Sequence, residues 1–459
     1  MKQNNKQRLF EMMNRVGGMP LINEESGFSD LPPGFSASDF IPLAVDIMQT
    51  PCDINTDINE ESDSENNNQM FDSVRLKDFD GEYGEFMEIM QNEFRRKLHA
   101  YLTKNKQGIG ELGRIHSGIL RDLTDVSKII DRKTGKPIDM KNLGKKKFNV
   151  ELEDMPTLNL DTLRDILLIE PSNEQLLGKN QKMAKSNFYN ISLPALKSLV
   201  YHENSKKFYV LVTCDKAMEC VKWCYAQMGN YVMFDRPIRL KMQKLNYIIN
   251  HWSEWRSRII SEIQKLESKN RGGEELVIRW HDSGDFISNF YLEIVLDVAR
   301  ATPNVYHYAY TKEVSMIKNA NIPPNFEFKF SLEGHERELV DKFMSKGLVV
   351  PPELFSEFLK EKPIGVDEKE WKEKGMWQFT PEEKDIIKKR IIDYYNKQPQ
   401  ANIYNFNNDN VIWHDEYMKM PHDRTQTYER RWNVIIKSGD TDIPASRKDT
   451  IGILNLLHK

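Results

Sequence analysis

The sequence predicts an α/β protein whose core is a parallel sheet. Three observations predict it. Four short β-type runs, 208–213, 276–280, 305–310 and 326–330, are separated by stretches of helical or loop character, the order of right-handed βαβ units. The first run (FYVLVT) is apolar throughout, as strands buried on both faces are. Three of the runs open directly into chemically capable residues: Cys214, then His281-Asp282, then Thr311-Lys312. Parallel folds collect functional groups at the carboxyl ends of their strands.

Composition narrows the function. The chain has 459 residues, room for two or three domains. A hydrophobic share of 39% supports a core, and a charged share of 29% leaves room for polar segments. The net charge of -4 supplies no overall basic field, so nucleic acid is not indicated as a partner. No run approaches the roughly 18 apolar residues of a bilayer span, and the N-terminus lacks the apolar stretch of a signal peptide. The expected location is the compartment of synthesis, where thiols stay reduced. Three of the chain's 4 cysteines lie between 214 and 224. In a reducing compartment that clustering points to metal or redox chemistry rather than a disulfide scaffold.

Four regions follow in order. Residues 1–74 read as a flexible arm. Within it, 8–16 (RLFEMMNRV) forms a short amphipathic helix with Leu9, Met12, Met13 and Val16 on one face, ended by Gly17-Gly18 and Pro20. Segment 53–69 is acidic, Asn-rich and too poor in apolar groups to offset its ordering entropy, so it is a linker, with Cys52 an uninvolved thiol beside it. Residues 75–180 are mainly helical. A helix at 85–105 places Phe86, Ile89, Met90, Phe94, Leu98 and Leu102 on one face, and Lys145-Lys146-Lys147 lies in a solvated loop. Residues 181–345 hold the four runs, with one long helical stretch at 236–267, Pro237 near its start, and a second helix at 289–301. Residues 346–459 form a C-terminal α/β extension. There Thr380, Pro381 and Glu383 cap a helix over 380–397, and strands fall at 411–414 and 432–436.

The residues with chemistry are few. Cys214, Cys220 and Cys224 read C-x5-C-x3-C. Three thiolates on one loop can hold three irons of a [4Fe–4S] cluster and leave the fourth open to a ligand. They can equally hold zinc, with His281 as a fourth ligand, or be three incidental buried thiols. In the turn after the second run, Gly284 permits a sharp bend or a close approach to a ligand. Asp282 or Asp285 can then receive an ammonium or hydroxyl group, although Asp-Ser-Gly-Asp is also ordinary turn chemistry. Lys312 either binds an anionic part of a ligand or pairs with an acid. His414-Asp415-Glu416 and His422-Asp423 read as surface polar residues, and Trp252 and Trp255 as core.

At these residues the chain resembles the bacteriophage gene product eighty-eight family, a group largely without assigned activity. The resemblance covers roughly 176–335. It runs through 178–185 (GKNQKMAK), Ser192-Leu193-Pro194, the cysteine loop closing in Cys224-Tyr225-Ala226, 281–286 (HDSGDF), Pro303 and Tyr310-Thr311-Lys312, with 451–458 as the family's closing strand. Family members often carry a second cysteine group near the C-terminus, whereas this chain has no cysteine after Cys224. The family is in turn distantly similar to radical S-adenosylmethionine (SAM) enzymes, which place a three-cysteine loop after the first strand of a (β/α) barrel. Their usual loop is C-x3-C-x2-C with an aromatic before the last cysteine; here Trp223 precedes Cys224 but the spacing differs.

The resemblance implies a partial (β/α) barrel of radical-SAM or TIM type. It implies metal ligation by Cys214, Cys220 and Cys224, and SAM contacts from Ser283, Gly284 and Asp285. Asp282 and Lys312 would be the catalytic residues beside an unidentified substrate. The alternative is a non-catalytic phage structural or binding protein whose loop holds zinc or nothing. Segment 8–16 is similar to short leader segments of large-phage proteins and would dock a phage partner. The implied location is the cytoplasm of the bacterial host, or the virion.

Overall fold

A computed structural model describes residues 68–81, 85, 86, 89, 130–131, 136–137, 158–172, 176–179, 187–222, 224, 226, 235–270, 275–359, 379–420, 432–437 and 443–456. The chain divides into two compact units, Met1–Asn66 and Asn67–Lys459, and the described residues all lie in the second. The helix expected at 8–16, most of the linker and of the 85–105 helix, Cys52, Lys145-Lys146-Lys147, Trp223 and His422-Asp423 lie outside them.

The main described strands are β1 (Leu76–Asp78), β2 (Ile130–Asp131), β3 (Lys136–Pro137), β4 (Phe188–Ile191), β5 (Lys197–His202), β6 (Lys207–Val212), β7 (Val277–Trp280), β8 (Tyr306–Thr311), β9 (Phe326–Ser331), β10 (Lys346–Val350), β11 (Val411–Trp413), β12 (Trp432–Lys437) and β13 (Thr450–Leu456). The helices that cover them include α1 (Leu160–Leu167), α2 (Asp235–Asn250), α3 (Trp252–Lys269), α4 (Asn289–Ala301), α5 (Val314–Lys318), α6 (Pro352–Phe358) and α7 (Pro381–Tyr395).

The fold is α/β, with eight parallel strands in the order β11-β12-β13-β10-β9-β8-β7-β4. Among the described strands, β4 and β11 are its edges. Strands β4, β7, β8, β9 and β10 occupy successive positions. The chain then crosses to the far edge at β11 and returns through β12 to β13, beside β10. Right-handed crossovers that reverse direction must place their connections on opposite faces. They do. Leu292 and Val295 of α4 and Ile317 of α5 share a cluster with Ile278, Ala309 and Phe328. Tyr417 and Ala445, from the β11–β12 and β12–β13 connections, share another with Tyr308, Val434 and Ile453.

Local sequence explains the helices. Ser288 caps α4 by accepting from the Tyr291 N–H at 3.1 Å. Thr380 and Glu383 close the expected capping box on α7. The expected long helix at 236–267 is two helices, because His251 leaves helical geometry and its ring meets Glu203 at 2.8 Å.

The run at 208–213 needs a correction. It is β6, and it is not part of the parallel sheet. It pairs antiparallel with β5 and β1 in a separate three-stranded sheet. The outer edge of β5 is covered by side chains of α2. Asn246 accepts from the Tyr201 N–H at 2.8 Å and donates to the Leu199 carbonyl at 3.2 Å; Asn250 donates to the Tyr201 carbonyl at 2.9 Å. An edge whose polar groups are met this way is closed to further strands.

Candidate functional site

The first parallel strand is β4, and its connection to α2 contains the β5–β6 hairpin and then the cysteines. Thr213, just past β6, anchors the start of the cysteine loop. Its hydroxyl donates to the Pro194 carbonyl at 2.6 Å, its N–H to the Leu196 carbonyl at 2.9 Å, and its own carbonyl accepts from the Asp285 N–H at 2.8 Å. Cys214 is therefore tied to the ends of both β4 and β7. Cys220 lies in a short 3-10 turn, Glu219–Lys222. Cys214, Cys220 and Cys224 are all half-buried free thiols.

The turn after β7 is buried. His281, Asp282, Ser283 and Asp285 are each under 7% exposed. Asp282 accepts from Asn190 at 2.8 Å and from the Ser192 hydroxyl. The Ser283 hydroxyl donates to the Leu193 carbonyl at 2.6 Å and accepts from the Lys241 ammonium at 2.5 Å. Asp285 joins two strand ends. One oxygen accepts from the Thr311 hydroxyl at 2.7 Å and the Phe286 N–H at 3.0 Å; the other accepts from the Lys312 N–H at 3.0 Å and faces the Lys312 ammonium at 3.9 Å.

The His281 ring is held on the side of α4 and the turn, and its buried Nδ1 has no hydrogen-bond partner. Its ring packs against Phe286 with centroids 4.5 Å apart, and Nε2 meets the Tyr291 hydroxyl at 2.9 Å. Burial drives its pKa down to about 3, so it is neutral. His414, Asp415 and Glu416 sit at the far end of β11, where Asp415 pairs with Lys384 at 2.7 Å.

Two lysines set the electrostatics of the loop. Burial opposes the charge of Lys312, but Asp285, Cys220, Cys214 and Glu333 together hold it above its ordinary value. Lys241 is depressed by burial, with Asp282, Cys224 and Cys214 pulling the other way. Lys312 thus acts on Cys214 and Cys220, and Lys241 on Cys214 and Cys224. Burial still dominates the Cys214 thiol and pushes it up to about 12, against the pull of Lys312; Cys220 moves the same way for the same reason. Without a bound cation both are neutral thiols near pH 7.

Sequence reasoning missed four contributors. Asn190 and Ser192 hold Asp282, and Lys241 reaches Ser283 from α2. Glu313 follows Lys312, is 3% exposed and leaves Oε1 without a hydrogen-bond partner. Burial, with Asp285 nearby, pushes its carboxyl up to about 8. Only Ser192 carried a signal, inside the Ser192-Leu193-Pro194 motif.

Three thiols beside two ammonium groups have the donor chemistry of an iron–sulfur or zinc site. Among the described residues, however, no group of three or more His, Cys, Asp or Glu side chains is spaced to hold a metal ion. No described helix is long and apolar enough to cross a membrane.

No curated protein and no solved structure matches the chain. Residues 167–363, the stretch that carries the whole thiol site, match the family model described as Gene product 88, which supports the phage gene product family for that stretch.

Proposed function

We propose that the chain is a radical-SAM-like iron–sulfur protein that modifies an unidentified substrate. The observation that carries this is the loop's place: three thiols lie in the connection after the first parallel strand, Cys214 and Cys220 toward Lys312, Cys214 and Cys224 toward Lys241. Further support is the run β4-β7-β8-β9-β10, five neighbouring parallel strands with their helices on one face, as in half of a (β/α) barrel. Strands β11, β12 and β13 lie outside that comparison.

Cys214, Cys220 and Cys224 would hold the cluster, and a bound cluster would supply an electron to SAM. The flanking ammonium groups favour the thiolate forms that ligation requires. The Ser283, Gly284 and Asp285 turn would take the SAM amino group. Against Asp285, the Lys312 ammonium already stands where such a group would sit, and at 3.9 Å it is the loosest of the four partners. Displaced from Asp285, Lys312 becomes available to an anionic part of the substrate, while Asp282, held by Asn190 and Ser192, faces Lys241. Anaerobic purification of the full chain tests the reading. A brown protein with iron and sulfide in equal amounts is expected; a colourless, zinc-loaded protein overturns it.

A second reading rests on the donor spacing. In it the chain is a non-catalytic phage protein whose loop holds zinc or nothing, docked to a partner through 8–16. Deleting residues 1–20 should then abolish partner binding, and undiminished association ends the docking idea.

A further inference from the structure

We propose that Gly334 is a positioning residue for the thiol loop: its missing side chain lets the loop seat on the turn after β9 and lets Lys312 pass over that turn toward the thiols. The proposal deepens the reading of the thiol site given above and rests on contacts that involve no cofactor. The turn after β9 binds the loop backbone on both sides of Gly334. Glu219 donates its N–H to the Glu333 carbonyl at 3.1 Å, and His335 donates its N–H to the Lys216 carbonyl at 2.9 Å. Ala217 and Gly334 form an antiparallel bridge between these bonds.

Side chains add a second clamp. Lys216 pairs with Glu336 at 3.5 Å, and Arg337 pairs with Glu219 at 3.5 Å. Glu336 is itself fixed, accepting from the Ser315 hydroxyl at 2.7 Å and its N–H at 2.8 Å.

Gly334 sits where this clamp is tightest. A Cβ there would stand 2.8 and 2.9 Å from Cβ and Cγ of Lys312 and 3.3 Å from the Lys216 carbonyl. The first two atoms lie near the Lys312 backbone, so they cannot swing aside as a side-chain tip can. An alanine must therefore push out Lys312, the loop, or both. Cys220 sits one residue past Glu219, so its distance from Lys312 is set by the end of β9, not by the strand that leads into the loop.

The test is residue-resolved alkylation of the full chain after chelation, read by mass spectrometry. Gly334→Ala should speed modification of Cys214 and Cys220 by about tenfold through local opening of the loop. Gly347→Ala is the control: its Cβ would meet the Tyr310 ring at 3.0 Å and neither Lys312 nor the loop backbone. It should lower Tm and leave the thiol rates unchanged. Should Gly334→Ala not fold, the double variant Lys216→Met, Arg337→Met removes both ion pairs without adding bulk, and a several-fold rise is expected there. Unchanged thiol rates in folded Gly334→Ala, or in the double variant, overturn the proposal. A wild-type chain that holds no iron defeats the functional reading and leaves this result standing.

Discussion

Gly284 lies directly against Leu193: a Cβ on the glycine would stand 2.6 Å from the leucine Cβ. The same atom would meet the Pro194 carbonyl at 3.1 Å, and Gly284 has φ +80°. Two of the short motifs that mark the family resemblance are thus the two sides of one contact. The turn after β7 needs its glycine because the segment after β4 passes over it.

This contact gives the first prediction. Gly284→Ala combines a left-handed backbone with an overlap against backbone-proximal atoms and should cost about 2–4 kcal/mol. Urea unfolding measures it. A loss under about 0.5 kcal/mol, within the range of ordinary surface changes, would contradict the packing account.

Asp285 gives the second. Its oxygens receive the Thr311 hydroxyl, two backbone N–H groups and the Lys312 ammonium, and it is 1% exposed. Asp285→Asn removes the counter-charge and turns an amide N–H toward donors. A loss of about 3 kcal/mol is expected, as for a broken buried pair. Thr311→Val deletes one hydrogen bond and should cost about 1–2 kcal/mol. Equal losses in the two variants would mean that Lys312 does not depend on Asp285.

Glu313 gives a pH prediction. Its folded carboxyl titrates at about 8, above its ordinary 4.5. Between those values the unfolded chain is ionised there and the folded chain is not, so folding loses stability as pH rises from 4.5 through 8. Glu313→Gln cannot ionise. Its stability relative to wild type should therefore grow by about 2–4 kcal/mol between pH 5 and pH 9. A difference independent of pH would contradict the burial of this carboxyl.

The buried histidines give the opposite slope. His281 and His307 are both held neutral by burial, with pKa values down to about 3 from 6.5. Each contributes stability that is full above pH 6.5 and lost as pH falls toward 3. His307 accepts from Trp280 at 3.1 Å and meets Thr302 at 2.9 Å, so protonation also breaks a hydrogen bond. Denaturation at pH 6.5 and 4.5 should differ by about 2 kcal/mol or more per histidine. His307→Gln should flatten that slope; an unchanged slope would place the histidine in water.

Much of this arrangement is legible in the sequence where the signals are local. Helix α4 falls on the expected 289–301, and the Thr380 capping box forms as read. Strands β7, β8 and β9 fall within one residue of the expected runs. The failures are non-local. An apolar run does not reveal which sheet will bury it, and the turn that joins β5 to β6, with Lys206 at φ 55°, carries no Asn-Gly or Asp-Gly hairpin signal. Strand β10 opens on Lys346-Gly347 and offers only three apolar residues as a signal. Lys241 carries no mark in a helix of mixed charge, yet its ammonium reaches Ser283, 42 residues away. The family match at 167–363 extends beyond the roughly 176–335 expected from motifs, because it includes β10 and α6.

In the proposed function Cys214, Cys220 and Cys224 serve one bound ion or cluster. The most direct measurement compares alkylation of the anaerobically purified chain before and after chelation, cysteine by cysteine. These three should become reactive together when the metal is removed, while Cys52 reacts equally in both samples. Independent rates for the three thiols, unmoved by chelation, would contradict it.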